Sequence, residues 1–290
     1  KSMSDKIGLT SALGKVYPET INEILTCAMF GVSEERPLYL CESWSDITAV
    51  ECESNLSSQR LSELLRDIGI NDNQRYNFFN EWRETNTDTK HIVFDISSIS
   101  SHSKNIDCVE WGKNKDDEKL PQVNIGLVLG EPSELPLYYM TYPGSIKDVS
   151  TLKNLTSHNI WLKLKKTIFV LDRGFYSSPN IKQLSDEGFT FIMPLPFSTN
   201  ISKELIKKHS KTITHHSQSF LYNDSILFQV QDSIQINGIP LKAYVYYDER
   251  RKCDETQAFL AKVIECEAYI AKNKWENTPQ IESYLTETFG

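Results

Sequence analysis

The sequence predicts an α/β protein built around a mixed five-stranded sheet with helices on its faces. Three observations predict this class. Apolar residues recur at helical spacing up to about residue 83. Between residues 90 and 195 they instead form five strand-length segments, and helical segments precede the last two. After residue 197, two further strand-like segments lead into one long amphipathic helical segment.

The predicted N-terminal region, residues 1–88, is helical. A first helix is expected after Pro18 and Thr20, a second after Ser57, and a third from Asn71 to Trp82. No heptad or repeat is sustained, so these helices form a small module. Such a module could bind DNA, mediate dimerisation or cover a neighbouring region, and the sequence does not choose between these roles.

The predicted central region, residues 89–196, carries the sheet. Its strands are expected at 91–95, 123–129, 135–142, 167–172 and 189–193. A hairpin turn at 130–134 joins the second and third strands, and helices near 148–152 and 178–187 precede the fourth and fifth. This order is that of the ribonuclease-H-like fold, in which the first and fourth strands are neighbours.

The predicted C-terminal region, residues 197–290, combines strands with a helix. Strands at 225–230 and 241–247 flank a turn at Asn237-Gly238, a dipeptide typical of tight hairpins. A single amphipathic helix is expected from 248 to about 274.

The composition is that of an ordinary globular protein without a membrane partner. Hydrophobic residues make up 39% of the 290 residues, and no apolar stretch approaches the roughly 18 residues of a membrane span. Six scattered cysteines contain no Cys-x-x-Cys pair, which argues against a zinc module and against a disulfide framework. A reducing, cytoplasmic location is therefore expected.

The charge is distributed unevenly along the chain. A formal net charge of −8 disfavours nucleic-acid binding by the chain as a whole. The middle of the chain is nevertheless basic, with one cluster between residues 161 and 182 and another between 203 and 211. A DNA-facing surface and a solvated helix face explain these lysines equally well.

Two aspartates are the candidate catalytic residues. Asp95 ends the first predicted strand and Asp172 ends the fourth. Because these strands are neighbours in the predicted sheet, the topology brings both carboxylates together. Such a pair is what an enzyme holding two hard divalent cations needs, with ions about 4 Å apart for in-line attack on a phosphodiester.

Other enzyme classes fit less well. A phosphatase of the haloacid-dehalogenase type needs a second aspartate two residues after its nucleophile, where this chain has Ser97. A serine or cysteine hydrolase would carry a Gly-x-Ser-x-Gly elbow, which the sequence lacks, and no glycine-rich phosphate loop is present. Two strand-end aspartates therefore favour phosphoryl transfer over a structural role.

Four sequence blocks resemble the DDE transposases of bacterial and archaeal insertion sequences, in the group whose last acid lies in a Tyr-Arg-Glu-Lys signature. The resemblance covers roughly residues 90–195 well and the flanks more loosely. The blocks are 93–98, then 112–116 running on to 121–127, then 135–137 leading to 144–152, and finally 170–175.

The resemblance implies a function and its partners. Asp95 and Asp172 take the places of the first two catalytic acids, which hold two Mg²⁺ (or Mn²⁺) ions during DNA strand cleavage and strand transfer. Arg173 could contact the phosphate of the scissile strand, or equally pair with a local carboxylate. DNA, as transposon ends and target, is the implied partner of a homodimer or higher multimer. Further candidate DNA contacts are Lys163, Lys165 and Lys166.

The third acid has two candidate locations. Glu255, with Arg251 before it and Lys262 after it, reproduces the Arg, Glu and Lys spacing, although Tyr247 is one residue out of place. Its helix also resembles the charged helix that relatives carry inside an inserted segment. The glutamate would then lie past Gly290, and 197–290 would be an incomplete insertion in a truncated transposase. The alternative function is a catalytically incomplete fragment that only binds DNA or dimerises.

Overall fold

The computed structural model describes residues 2–86, 89–112, 119–146, 150–152, 167–273, 275 and 277–289. The chain divides into two compact units, residues 1–194 and 195–290. The finer division into regions 1–88, 89–196 and 197–290 stays a prediction. Among the helices that the structure describes, none could span a membrane.

Six described α-helices precede the sheet of the first unit: α1 Ser2–Lys6, α2 Leu9–Val16, α3 Ile21–Ser33, α4 Cys41–Ser45, α5 Ser58–Ile70 and α6 Asp72–Thr85. The three predicted helices are confirmed as α3, α5 and α6. Side chains cap the last two, because Ser57 Oγ accepts a hydrogen bond from the Arg60 amide and Asn71 Oδ1 accepts one from the Gln74 amide.

The helical region is attached to the edge of the sheet through α6. The Trp82 indole donates a hydrogen bond of 2.7 Å to the carbonyl oxygen of Pro136, on the edge strand. The Phe79 ring packs edge-on against Tyr138, with ring centroids 4.6 Å apart. These contacts make the helices and the sheet part of one packed unit.

The predicted mixed five-stranded sheet is confirmed. Its strands are β1 His91–Ser100, β2 Gln122–Glu131, β3 Leu135–Pro143, β4 Ile168–Leu171 and β5 Thr190–Ile192. Their order across the sheet is β3-β2-β1-β4-β5. The pairs β1–β2 and β2–β3 are antiparallel, whereas β1–β4 and β4–β5 are parallel. This is the ribonuclease-H-like arrangement, with the first and fourth strands as neighbours.

One face of this sheet forms the main apolar core. Alternate residues of the central strands are buried there, among them Phe94 in β1 and Phe169 in β4. Helix α7, Ser178–Asp186, follows β4 and contributes Leu184 to the same core. Gly188 has a φ of 76° just after this helix and turns the chain into β5. The predicted helix start at Asp148 lies outside the described residues.

The second unit contains a three-stranded antiparallel sheet and three α-helices among its described residues. These elements are α8 Asn200–His209, β6 Ser219–Tyr222, β7 Ser225–Ile236, β8 Ile239–Asp248, α9 Glu249–Lys272 and α10 Thr278–Phe289. Asn237 and Gly238, both with positive φ, connect β7 to β8 as a two-residue hairpin turn. The long predicted helix is confirmed as α9, and Asp248 caps it by accepting from the Arg251 amide.

Candidate active site

The register of β1 and β4 places Asp95 beside Asp172. The pairing of these parallel strands ends with Phe94 opposite Leu171, and the two aspartates are the next residues along each segment. Neighbouring strands lie about 4.8 Å apart. The two residues expected to meet across the sheet are therefore adjacent.

Asp95 lies on the face of β1 opposite the core, and Asp172 directly follows β4 with its side chain also exposed. Phe94 and Leu171 are buried, whereas Asp95 and Asp172, one position further along, are exposed. Side chains alternate between the two faces of a strand, so residues paired in register share a face. The arrangement exposes two carboxylates at adjacent positions of neighbouring segments.

The sequence-based assignment of Asp95 to a strand end is wrong. Strand β1 continues through Ser100, and its pairing with β2 extends to Ser100 opposite Gln122. The aspartate instead marks the point at which the shorter neighbour β4 ends. The serine-rich end of β1 lacks the apolar character of a core strand. It is nevertheless a strand, because β2 supplies backbone partners along the whole length of β1.

The turn after β4 fixes the position of Asp172. Residues Arg173–Phe175 form a single 3₁₀ turn, closed by a hydrogen bond of 3.1 Å from the Phe175 amide to the Asp172 carbonyl. The Phe175 ring is buried, with its centroid 5.1 Å from that of the Phe94 ring. Asn180 donates to the Phe175 carbonyl at 2.9 Å. The carboxylate of Asp172 therefore projects from a well-anchored turn.

Arg173 lies next to the carboxylate pair on this turn. Its side chain is exposed, and it forms no ion pair with any carboxylate among the described residues. Pairing with a local carboxylate, one of the two roles that the sequence left open, is therefore not observed in the part of the chain that the structure describes.

A buried amide cluster at the polar end of β1 was not predicted. The side-chain oxygen Oδ1 of Asn124 accepts hydrogen bonds from the Ser98 hydroxyl at 2.9 Å and from the side-chain nitrogen Nε2 of Gln122 at 3.1 Å. The Asn124 amide donates to the carbonyl oxygens of Ile146 at 3.0 Å and Gly144 at 3.3 Å. The cluster joins β1, β2 and the segment after β3. Polar residues at alternate positions 122 and 124, in a strand without other polar side chains before Glu131, were the available signal.

Two glycines permit the close backbone approach around this cluster. A Cβ atom on Gly144 would collide with the backbone oxygens of Gln122 and Glu110, and one on Gly112 would collide with the Gly144 carbonyl. Backbone cannot give way as a flexible side chain can, so both positions require glycine. These glycines belong to the blocks on which the family resemblance rests, and they have a packing function.

Glu255 lies in the second unit, on α9. Its carboxylate pairs with Arg251 Nε at 2.8 Å, one helical turn away, and both side chains are largely exposed. This ion pair accounts for the Arg and Glu of the predicted spacing. The role of Glu255 as a third metal ligand stays a prediction.

Lys262, the third member of that spacing, contacts a different helix. Its ammonium lies 5.1 Å from the centroid of the Phe289 ring, near the end of α10. The same ammonium donates to the carbonyl oxygen of Thr288. Lys262 therefore ties α9 to α10, and the Arg, Glu and Lys spacing corresponds to one ion pair and one separate helix–helix contact.

Three of the predicted site residues cannot be placed. Lys163, Lys165 and Lys166 lie outside the described residues. Within the described ranges, no group of three or more His, Cys, Asp or Glu side chains is arranged to hold a metal ion. The candidate site thus consists of the two adjacent aspartates, with Arg173 beside them.

The chain is similar to one family model and to nine chains of solved structures, including a transposase chain. The family model described as "Transposase DDE domain" matches residues 86–282, which is more than half of the chain. A cryo-EM structure of the piggyBac transposase synaptic complex with hairpin DNA is similar at 12% sequence identity and a TM-score of 0.39. The similarity covers 92% of this chain and 63% of that one, so the chain spans less than two thirds of that transposase. No curated protein matches the chain.

Proposed function

The chain belongs to the transposase DDE domain family, and we propose that it cleaves DNA strands and transfers them for an insertion sequence in a metal-dependent reaction. The observation that carries the proposal is the adjacency of the exposed residues Asp95, in β1, and Asp172, directly after β4. Two exposed carboxylates on neighbouring strands repel each other, and a shared cation offsets that repulsion.

The donor set fits hard divalent cations. Carboxylate oxygens are the ligands that Mg²⁺ and Mn²⁺ prefer, and Asp95 and Asp172 offer them from two hydrogen-bonded strands. In the proposed function these residues hold two ions, which when bound activate the attacking oxygen and stabilise the leaving oxygen.

Arg173 supplies positive charge next to this pair. Two carboxylates repel a phosphodiester backbone, and the chain as a whole carries a net charge of −8. An exposed guanidinium one residue after Asp172 can hold a phosphate oxygen in a charge-assisted hydrogen bond. In this proposal Arg173 contacts the DNA strand at the site, and Lys163, Lys165 and Lys166 make further backbone contacts. The proposed partners are transposon ends and target DNA, engaged by a dimer or higher multimer.

A second candidate function is DNA binding without efficient cleavage, and it follows from the small number of acids that the site brings together. The described residues bring two carboxylates together and no third. A chain that holds metal through two acids alone would bind DNA without efficient cleavage. Glu255 is the proposed third ligand.

A cleavage assay tests the proposal. Linear DNA carrying candidate transposon ends is incubated with the full chain and Mg²⁺ or Mn²⁺, and Asp95→Asn and Asp172→Asn are compared with wild type. The matched control is Asp67→Asn, which removes the same charge from an exposed position on α5. Each site variant should lower the cleavage rate at least about 10³-fold, because loss of a catalytic group costs rate on this scale.

The possible results separate the candidates. Cleavage by wild type and Asp67→Asn, but by neither site variant, supports the proposed DNA-cleaving function. Equal cleavage by wild type and both site variants contradicts it. DNA binding by all four proteins without cleavage by any favours the second candidate.

A further inference from the structure

A cleft in the second unit is lined only by side chains that can donate hydrogen bonds. It has a volume of about 420 Å³ and lies just past the end of α8. Its lining residues are Lys211, Thr212, Thr214, His215 and Gln218. No carboxylate is among them. An ammonium, two hydroxyls, an imidazole and an amide form a set suited to an oxyanion.

The hydrogen bonds of His215 determine what its ring offers. The Ser217 backbone N–H donates to Nδ1 at 3.4 Å, and the Ser217 hydroxyl lies 2.8 Å from the same nitrogen. Because a backbone N–H can only donate, Nδ1 is the acceptor and the ring proton of the neutral imidazole resides on Nε2. His215 therefore keeps an N–H group for a further acceptor.

The surroundings of the cleft are strongly basic. Between residues 195 and 223 the chain carries four lysines and three histidines, and Glu204 is the one acidic residue. Lys208 and His209 both contact Asp232 on β7, at 2.7 and 2.8 Å. In contrast, the three other lysines form no ion pair with a described carboxylate: Lys203, Lys207 and Lys211.

The helix dipole alone does not explain the positions of the lysines in and after α8. Cations in the last turn of a helix are favoured by the helix dipole, which accounts for Lys207 and Lys208 in α8. Lys203 lies near the beginning of that helix, where the dipole does not favour a cation, and Lys211 lies beyond its end. The dipole therefore leaves these two positions unexplained.

Asp232 fixes the end of α8 beside the cleft. Its carboxylate accepts from Lys208 Nζ, from His209 and from the Ser233 amide. Hydrogen bonds from Lys208 and His209 hold the pKa of Asp232 well below its usual range, so the group stays charged. It thereby anchors the helix to β7, while Lys207 and Lys211 stay exposed to solvent.

We infer that the cleft at Lys211 and His215 binds a phosphate group of a nucleic-acid backbone, with Lys203 and Lys207 extending the contact along α8. The inference rests on the proposed function, which makes DNA the partner. It assigns a DNA-binding role to the second unit. Free inorganic phosphate shares the same chemistry, so the test includes it as a separate probe.

The test measures duplex DNA binding of the full chain by fluorescence anisotropy at several salt concentrations. Lys211→Gln and the double variant Lys207→Gln/Lys211→Gln are compared with Lys272→Gln, an exposed lysine at the end of α9. The double variant should weaken binding about tenfold and reduce the slope of log K against log salt by about 1 to 2, since each lost phosphate contact removes about 0.9. Lys272→Gln should change neither.

The outcomes distinguish this inference from the proposed function. Absence of DNA binding by wild type would contradict both. Binding by wild type with the same affinity and slope in the double variant as in Lys272→Gln would overturn the inference and leave the proposed function standing. Calorimetry measures the binding of free inorganic phosphate by wild type and Lys211→Gln. If Lys211→Gln loses phosphate binding but keeps the DNA affinity of wild type, the cleft binds the free ion and not DNA, and the inference is overturned.

Discussion

Asp95 and Asp172 take their positions from the residues that precede them. Each follows a buried apolar residue, and the register of β1 with β4 places the two aspartates at adjacent positions. Hydrogen bonds between the two strands hold the backbone beneath the carboxylates. The pair therefore depends on the core behind it as much as on the aspartates themselves.

Asn124 is expected to matter for stability more than an exposed asparagine. Asn124→Ala removes an amide that joins Ser98, Gly144 and Ile146, and it leaves buried polar groups without partners. The free energy of unfolding should fall by about 2 to 4 kcal/mol. Denaturant unfolding followed by circular dichroism measures this, with the exposed Asn105→Ala as the control. Equal midpoints for the two variants would contradict the structural role given to the cluster.

The lowered pKa of Asp232 predicts that the folded protein loses stability in acid. Because its pKa in the folded protein lies below the ordinary aspartate value, its contribution to stability is complete above that ordinary value, about 3.9. The contribution is lost as the pH falls from about 4 toward the lowered pKa. Unfolding midpoints measured from about pH 5 down to about pH 3 should therefore fall more steeply in wild type than in Asp232→Asn. Parallel curves would contradict the assigned ion pairs.

Single residues differ in how far the sequence predicts their surroundings. The adjacency of Asp95 and Asp172 could be predicted, because two apolar segments ending on aspartate and a familiar strand order together imply it. The contacts of Asn124 could not, because its partners lie on three separate segments. The contacts of Asp232 could not be predicted either, because its partners Lys208 and His209 lie on α8, far from it in the sequence.

Between elements, an ion pair joins α3 to α5. Arg60 binds both oxygens of Glu23, at 2.9 and 2.5 Å, and Glu23 is nearly buried. These hydrogen bonds lower the pKa of Glu23. Arg60→Met leaves the carboxylate without its main partner and should cost about 2 kcal/mol, less than a fully buried pair because Arg60 is partly exposed.

Thermal unfolding of Arg60→Met is compared with Arg66→Met, which removes an exposed arginine of the same helix. Arg60→Met should unfold several degrees lower than the control. Glu23→Gln should partly restore stability in the Arg60→Met background, since it removes the unpaired charge. A double variant no more stable than Arg60→Met would show that packing, and not the charge, carries the effect.

The strands of the central sheet and helices α3, α5, α6 and α9 were predicted from the spacing of their apolar residues, whereas helices α8 and α10 were missed. Helix α8 buries only Ser202 and Leu205, so its lysines dominate its pattern. Helix α10 has no buried residue. The polar end of β1 was missed for the related reason that backbone pairing with β2, and not burial, defines it.

For the molecule as a whole, fold and family follow from the central region. The order of five strands and the match to the transposase DDE domain family agree with the resemblance found in the sequence. A net charge of −8 gives no sign of a DNA partner. Local positive charge supports the proposed DNA partner instead: Arg173 in the first unit and the basic end of α8 in the second.

The third metal ligand that the proposed function requires could not be assigned from the sequence for a physical reason. Asp95 and Asp172 are positioned by pairing between neighbouring strands, so topology alone predicts their approach. A glutamate on a helix that follows an inserted segment depends on how distant segments pack, which residue spacing does not encode. Glu255, paired with Arg251, therefore stays a proposal to be tested by its own variant.

Anomalous diffraction from crystals soaked in Mn²⁺ tests the proposed metal site most directly. We expect a metal peak within about 2.2 Å of carboxylate oxygens from both Asp95 and Asp172. The peak should disappear in crystals of Asp95→Asn, with the fold unchanged. Metal binding elsewhere with no density between these two carboxylates, or carboxylates too far apart to share an ion, would contradict the proposal that they form a metal site.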